Sequence, residues 1–318
     1  TLNFSGVALL GNNLRIDAGS GNDTVSGSSA SDTISGGSGN DLLNGAGGSD
    51  TYEVGGTSTS GFQGYDSWAD TGSGAGDLDR LIATAGSSAV DIGMRSFSAA
   101  ATGLDVIDAT ATTGAVRLLG DANANSLNFA GVSLLGANLS IDAGSGNDSV
   151  GGSAGADAIL GGLGVDTLTS ADGNDTLSGG GGLDVLNGGN GADTFTYTTL
   201  TDAIVGGTTS APTFEKIIGF TVGADRFDLT TVPGAGGFKT LGAVTALTTS
   251  AIGTLLSASN FVANGAATFT AGSGASQRSF IAFNNATAGY GSTTDAIVEI
   301  TGYGFAGGAS GLGQINLI

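Results

Sequence analysis

Along two stretches of this chain an apolar residue recurs every nine positions: Val25, Ile34, Leu43 and Tyr52, then Val150, Ile159, Leu168, Leu177, Leu186 and Phe195. Each stands two residues after an aspartate. Asp23, Asp32, Asp41 and Asp50 therefore keep the same period, as do Asp148, Asp157, Asp166, Asp175, Asp184 and Asp193. Glycine recurs five, four and two residues before the aspartate, cleanly at Gly36, Gly37 and Gly39 before Asp41, at Gly179, Gly180 and Gly182 before Asp184, and at Gly188, Gly189 and Gly191 before Asp193. The pattern predicts a glycine-rich turn, an acidic ligand and a short strand with one inward anchor in every nine-residue unit. A chain with 61 glycines yields some Gly-Gly-x-Gly-x-Asp strings by chance, but chance does not hold every anchor in one phase.

Two units make one coil, which stacks aspartates eighteen residues apart at roughly the 4.8 Å spacing of neighbouring strands. Bare carboxylates at that distance oppose each other by about 3.5 kcal/mol at an effective dielectric of 20. A Ca²⁺ between them removes the repulsion, because calcium takes oxygens at about 2.3–2.6 Å and a bridged pair spans about twice that. All ten aspartates are expected to be calcium ligands. The pairs are Asp23 with Asp41, Asp32 with Asp50, Asp148 with Asp166, Asp157 with Asp175, Asp166 with Asp184 and Asp175 with Asp193. Glycines, which reach positive φ at little cost, aim further backbone carbonyls at the ion. The turns before Asp32 (Gly27, Ser28, Ala30) and Asp175 (Ser170, Ala171, Gly173) have lost glycines, which predicts looser or empty sites there. Asn22 and Asn174 lie in Asn-Asp-Thr strings that also match a glycosylation acceptor, but their place inside the turns makes them turn residues.

These nonapeptides resemble those of the repeats-in-toxin (RTX) family, whose repeat reads Gly-Gly-x-Gly-x-Asp-x-U-x. The resemblance implies an all-β fold, a right-handed parallel β-roll or β-solenoid with bound calcium that is largely disordered without the ion. It also implies export through a type I secretion system from a Gram-negative-type cell, directed by an uncleaved C-terminal signal. It says little about the job, since proteases, lipases, toxins, adhesins and surface-layer proteins all carry the repeat.

Composition narrows the chemistry. The chain has no cysteine and no histidine, which removes disulfides, thiolate metal sites, His-Glu-x-x-His zinc sites and histidine-based nucleophilic triads. No enzyme activity is expected within it. No apolar run is long enough to span a membrane as a helix. A net charge of -20 argues against nucleic acid as a partner. The charge is unevenly placed: residues 1–210 hold 23 acidic and 4 basic side chains, residues 211–318 hold 5 and 4. This predicts an acidic solenoid over 1–210, with nonapeptide arrays at about 18–54 and 143–197 joined by wider coils, and a small, mainly-β C-terminal cap and secretion or surface domain over 211–318. Residues 1–25 align without gaps on residues 126–150, and the second copy gains two nonapeptides, one whole coil, as a solenoid tolerates. Because the first copy begins in mid-pattern at Thr1, more solenoid is expected upstream.

Between the arrays, apolar runs at Arg80–Ala83, Asp105–Asp108 and Val116–Leu119 predict strands of wider coils. Asp77, Asp79 and Asp121 could bind further ions, but they keep no fixed phase there, which favours solvated turn aspartates. Tyr65 and Trp68 fall in a predicted polar loop, as a partner contact or a cap over a coil edge. The segment from Phe214 to Leu229 resembles the closing stretch of many RTX rolls, but Gly219 stands where that stretch has its first aspartate, which weakens the case for calcium at Asp225 and Asp228. Thr248–Ala258 predicts a short helix, and Arg278–Asn284 and Asp295–Thr301 predict alternating strands. The stretch from Ser279 to Tyr290, Thr294 to Tyr303 and the apolar end from Ile315 resemble the "bluetail" C-terminal domain of cyanobacterial surface proteins. That resemblance implies residence on the surface of a Gram-negative-type, cyanobacterial cell.

These expectations converge on a calcium-binding structural protein of the surface-layer or extracellular filament type, with calcium ions, copies of itself and cell-surface polysaccharide as its partners. The alternative is the calcium-dependent folding and secretion module of a larger secreted RTX enzyme or adhesin.

Overall fold

The computed structural model describes residues 1–3, 15–55, 62–71, 77–84, 89–199, 202, 206–208, 211–221, 223–229, 238–244, 248–257, 266–272, 277–284, 295–301 and 316–317. They form two compact units, Thr1–Ser145 with Ser149–Ile159 and Gly146–Asp148 with Leu160–Ile318.

In the first unit the nonapeptide strands stack in parallel. Leu2–Asn3, Thr24–Ser26, Leu42–Asn44 and Ser67–Ala69 make one sheet. Arg15–Asp17, Thr33–Ser35, Thr51–Val54, Asp79–Ala83, Leu104–Asp108 and Ser133–Leu135 make another. A three-residue strand has one side chain on its inner face, and the register places anchor on anchor, Val25 on Leu43 and Ile34 on Tyr52. None of the ten predicted anchors is more than 2% exposed.

Past Phe62 the coils widen to three strands per turn. Ala89–Gly93, Ser96–Ser98 and Leu104–Asp108 are followed by Ala115–Leu119, Ser126–Asn128 and Ser133–Leu135, each pairing in parallel with its counterpart one coil on. The strands predicted around Arg80, Asp105 and Val116 are all present. A wider coil encloses more space and needs larger fillers, which Met94 and the stacked Phe97 and Phe129 provide, the two rings 4.7 Å apart. Trp68 is one of these fillers. It is a buried anchor in the strand Ser67–Ala69, paired with Leu43, which corrects its placement in a polar loop. Tyr65 ends the strand Phe62–Tyr65 with the Arg95 guanidinium over its ring.

The second unit begins as a two-stranded coil and then changes style. Thr176–Gly181, Thr194–Tyr197, Arg226–Leu229 and Asn316–Leu317 form one parallel sheet. In the other, Thr167–Thr169, Val185–Asn187, Glu215–Ile218 and Ala296–Thr301 run parallel, and Arg278–Phe283 and Ala266–Ala271 then join antiparallel. The predicted helix is Thr249–Leu255, capped by the Thr248 side chain accepting from Ala251 N–H. Arg278–Phe283 and Ala296–Thr301 do not alternate in burial as predicted. Phe280 packs with Ile252 and Leu256 on one face, and Phe283 meets Phe227 and Tyr197 on the other, so both faces are covered. Residues 285–294 and 302–315 of the second resemblance lie outside the described residues. No helix among the described residues is long and apolar enough to cross a membrane.

Candidate metal centre

Each nonapeptide aspartate sits one residue before its strand, so the parallel register sets carboxylate over carboxylate. The backbone N–H of one aspartate donates to Oδ1 of the aspartate one coil on. Asp23 donates to Asp41 at 2.8 Å and Asp32 to Asp50 at 2.7 Å. Asp148 donates to Asp166 and Asp166 to Asp184, both at 2.8 Å, and Asp175 to Asp193 at 3.1 Å. The structure thus brings together five of the six anticipated pairs, while Asp157 and Asp175 belong to different units. Nine of the ten aspartates are buried, and Asp23 is partly exposed.

Burial strands the second oxygen. Asp41, Asp50, Asp166, Asp184 and Asp193 each hold Oδ2 away from solvent with no hydrogen-bond partner, and Asp32 holds Oδ1 the same way. An ionised oxygen left without a donor is costly. Desolvation accordingly raises the carboxyls of Asp41, Asp157, Asp166 and Asp193 above the ordinary 3.8, Asp184 to about 6 and Asp50 to about 7.

Glycine shapes the space around that oxygen. A Cβ on Gly36 would stand 2.3 Å from Asp41 Oδ2, so the position five before the aspartate has no room for a side chain. Gly37, at φ 88°, leaves no more: its Cβ would stand 1.8 Å from the Gly19 carbonyl oxygen of the neighbouring turn. In the second array Gly180 faces the Gly162 carbonyl and Gly182 the Gly164 carbonyl in the same way. Stranded carboxylate oxygens beside stacked carbonyls are hard donors with no proton to give, the oxygen set that calcium takes. Bound calcium would supply the positive charge these oxygens lack.

Two turns differ. Ser28 N–H donates to Asp32 Oδ2 at 2.7 Å. Ser153 gives Asp157 both its N–H, at 2.7 Å to Oδ2, and its hydroxyl, at 3.0 Å to Oδ1. Serine stands where the other turns have glycine or alanine, and it turns its own N–H onto the carboxylate. The turn itself thus supplies part of what a cation would. Asp157 was not singled out by its sequence, because Gly152 and Gly155 flank its serine. Ala171, before Asp175, takes φ 80° despite its side chain.

The columns run past the nonapeptides. Asp41 N–H donates to Asp66 at 2.9 Å, Asp50 to Asp79 at 2.7 Å, Asp79 to Asp105 at 2.9 Å and Asp193 to Asp225 at 2.9 Å. Asp79 is 1% exposed, which corrects its reading as a solvated turn residue: wider coils change the sequence spacing but not the register. Asp77 caps the turn below through Gly48 N–H at 3.2 Å. Asp121 is a turn aspartate, accepting from Asn123 N–H at 2.8 Å and paired with Arg95. Burial carries Asp66 up to about 7 and Asp79 to about 6. Asp225 also accepts Thr221 N–H at 2.7 Å, and Asp228 lies within the strand Arg226–Leu229 rather than in the column. The signal for these extra members was present as an aspartate two residues before an inward anchor: Asp66 before Trp68, Asp79 before Leu81, Asp105 before Ile107 and Asp225 before Phe227. Glu215, in register with Asp184, ends its column differently. Burial holds its carboxyl well above the usual range, and the Tyr197 hydroxyl donates to it.

Beside the carboxylates runs a ladder of asparagines. Asn22 Oδ1 accepts from Asn40 N–H, Asn40 from Tyr65, Asn147 from Val165 and Asn174 from Ala192, all at 2.9 Å, so Asn22 and Asn174 serve the turns as predicted.

The chain carries RTX calcium-binding nonapeptide repeats. The model of that family, described as the RTX calcium-binding nonapeptide repeat (4 copies), matches residues 17–52, 140–168 and 161–195. The fold is the parallel β-roll, and calcium is the ion these repeats bind. No curated protein matches the chain. Among solved structures it is similar to the AlgE6R3 subunit of the Azotobacter vinelandii mannuronan C5-epimerase, at 23% identity over 52% of this chain and 83% of that one, with a TM-score of 0.30. RTX repeats of this kind mark a calcium-binding protein of the secreted type.

Proposed function

We propose that this chain is a calcium-folded structural protein of the bacterial cell surface, of the surface-layer or filament type, exported unfolded by type I secretion. The observation that carries the reading is the row of buried carboxylate oxygens without donors, held in register by parallel strands. Such a coil is unfavourable as long as its carboxylates stay bare, and becomes favourable when cations lie between them. The turns complete in glycine, at Asp41, Asp166, Asp184 and Asp193, hold the ions most tightly, and those at Asp50 and Asp148, each with one alanine, come next. Asp32 and Asp157, partly satisfied within their own turns, bind more weakly, and Asp175 and Asp23 complete pairs with their neighbours. Low cytoplasmic calcium keeps the chain threadable, and higher calcium outside folds it after passage. Residues 1–210 build the surface structure while residues 211–318 carry export and close the coil.

The test is on cells that make the full-length protein. Imaging in calcium should show a surface layer or filaments that disperse on chelation and return on calcium addition. A protein that folds with calcium yet stays dispersed in the medium would instead mark a folding and secretion module of a larger secreted protein.

A further inference from the structure

Outside the nonapeptide arrays, the first wide coil gathers three carboxylates, those of Asp70, Asp77 and Asp79, each offering an oxygen within 4.8 Å of the others. A calcium ion with oxygens at about 2.4 Å places opposite ligands about 4.8 Å apart, so one ion spans the cluster. Acidic side chains often crowd at a surface without an ion, but this group is built into the fold. Asp79 is 1% exposed, and its Oδ1 is held at 2.7 Å by Asp50 N–H. Asp77 is fixed by Gly48 N–H on its Oδ2, while its Oδ1 is shut off from solvent with no hydrogen-bond partner. A second orphan adjoins the cluster. Asp50 is fully buried, its Oδ2 has no partner, and its carboxylate is close enough for the charges of Asp70 and Asp79 to act on it. Asp70 is placed by its own N–H donating to the Thr102 carbonyl at 2.9 Å, beside Gly103, where a Cβ would stand 2.7 Å from its own.

We infer that Asp70, Asp77 and Asp79, with Asp50 from the coil below, form a site for a hard divalent cation of calcium's size. Every donor is oxygen and none carries a proton to share, which selects calcium over softer metals. The site lies where the narrow two-stranded coil gives way to the wide three-stranded one, and it joins the two. It shares Asp50 with the nonapeptide column, while Asp70, Asp77 and Asp79 lie outside the repeats.

The experiment counts calcium ions per folded chain by native mass spectrometry, in the wild type and in an Asp70→Asn/Asp77→Asn variant. The expected result is one ion fewer in the variant, with calcium-dependent circular dichroism retained. A folded variant with the full wild-type count overturns the inference. Where the variant does not fold, wild-type crystals grown in calcium and soaked in terbium decide. An anomalous peak among Asp70, Asp77 and Asp79 supports the site, and peaks confined to the nonapeptide turns overturn it. A peak here with none at the nonapeptide turns would leave this site standing and remove the calcium-loading basis of the proposed function.

Discussion

The nonapeptide coils and the sheet of Ala266–Ala271, Arg278–Phe283 and Ala296–Thr301 bury their residues for opposite reasons. A three-residue coil strand such as Leu42–Asn44 fully buries only Leu43, and the carboxylate at its edge, that of Asp41, is buried as well. The three longer strands bury nearly every residue. Phe269 and Phe280 stack with centroids 5.0 Å apart, and Glu299, the buried acid of the Ala296–Thr301 strand, is gripped by Arg278 through Nε at 2.7 Å and Nη2 at 2.5 Å. The sheet neutralises its buried charge with a side chain of its own. The coils leave that to an ion, so their stability is set by the solution around them and that of the sheet by its packing.

The comparison breaks most sharply at the centre of a column. Asp166→Asn with Asp184→Asn removes two stacked carboxylates that both hold an unpartnered oxygen. The calcium midpoint of coil folding, followed by circular dichroism, should move up by at least about ten-fold, the equivalent of roughly 1.4 kcal/mol. An unchanged midpoint would mean that these oxygens hold no ion. The sheet should answer to a different substitution. Phe280→Ala deletes a ring at the middle of the aromatic packing and should lower stability by about 3–5 kcal/mol in thermal melts, with the calcium midpoint unmoved.

Acidity gives a smaller effect that sharpens the contrast. Burial raises Asp184 to about 6 and Asp50 to about 7, above the ordinary 3.8. A carboxyl raised in the folded state stabilises the calcium-free fold fully below about pH 4, and that contribution is lost as pH rises through about 6 to 7. In chelator the coils should therefore hold more β structure by circular dichroism at about pH 5 than at about pH 8, and calcium should bind more weakly at the lower value because protons compete for the same oxygens. Calcium-free β content in the coils that rises with pH would contradict the burial of these carboxylates.

Much of the coil was legible because each unit repeats one physical requirement at one spacing. The anchors Val25 through Phe195 and the aspartates before them needed only the period of nine. In the continuation, Asp66 and Asp105 were not singled out and Asp79 and Asp225 were left open, because the connecting coils vary in length, so the spatial column survives while the sequence phase is lost. The charge step at residue 210 is real in composition, yet the strand Glu215–Ile218 beyond it still pairs in parallel with Val185–Asn187. Serine's effect at Asp157 was invisible for another reason. It depends on where a backbone N–H points, which the residue type permits but does not dictate.

Hydrogen–deuterium exchange of the whole protein in calcium and in chelator tests the central claim most directly, because it reads both regions in one sample. In calcium, strands such as Leu42–Asn44 and Val185–Asn187 should be protected along with Arg278–Phe283. In chelator the account predicts that the coil strands lose protection while Arg278–Phe283 and Ala266–Ala271 keep it. Coil strands that stay protected without calcium would show that the carboxylate columns are stable bare, and would contradict the account.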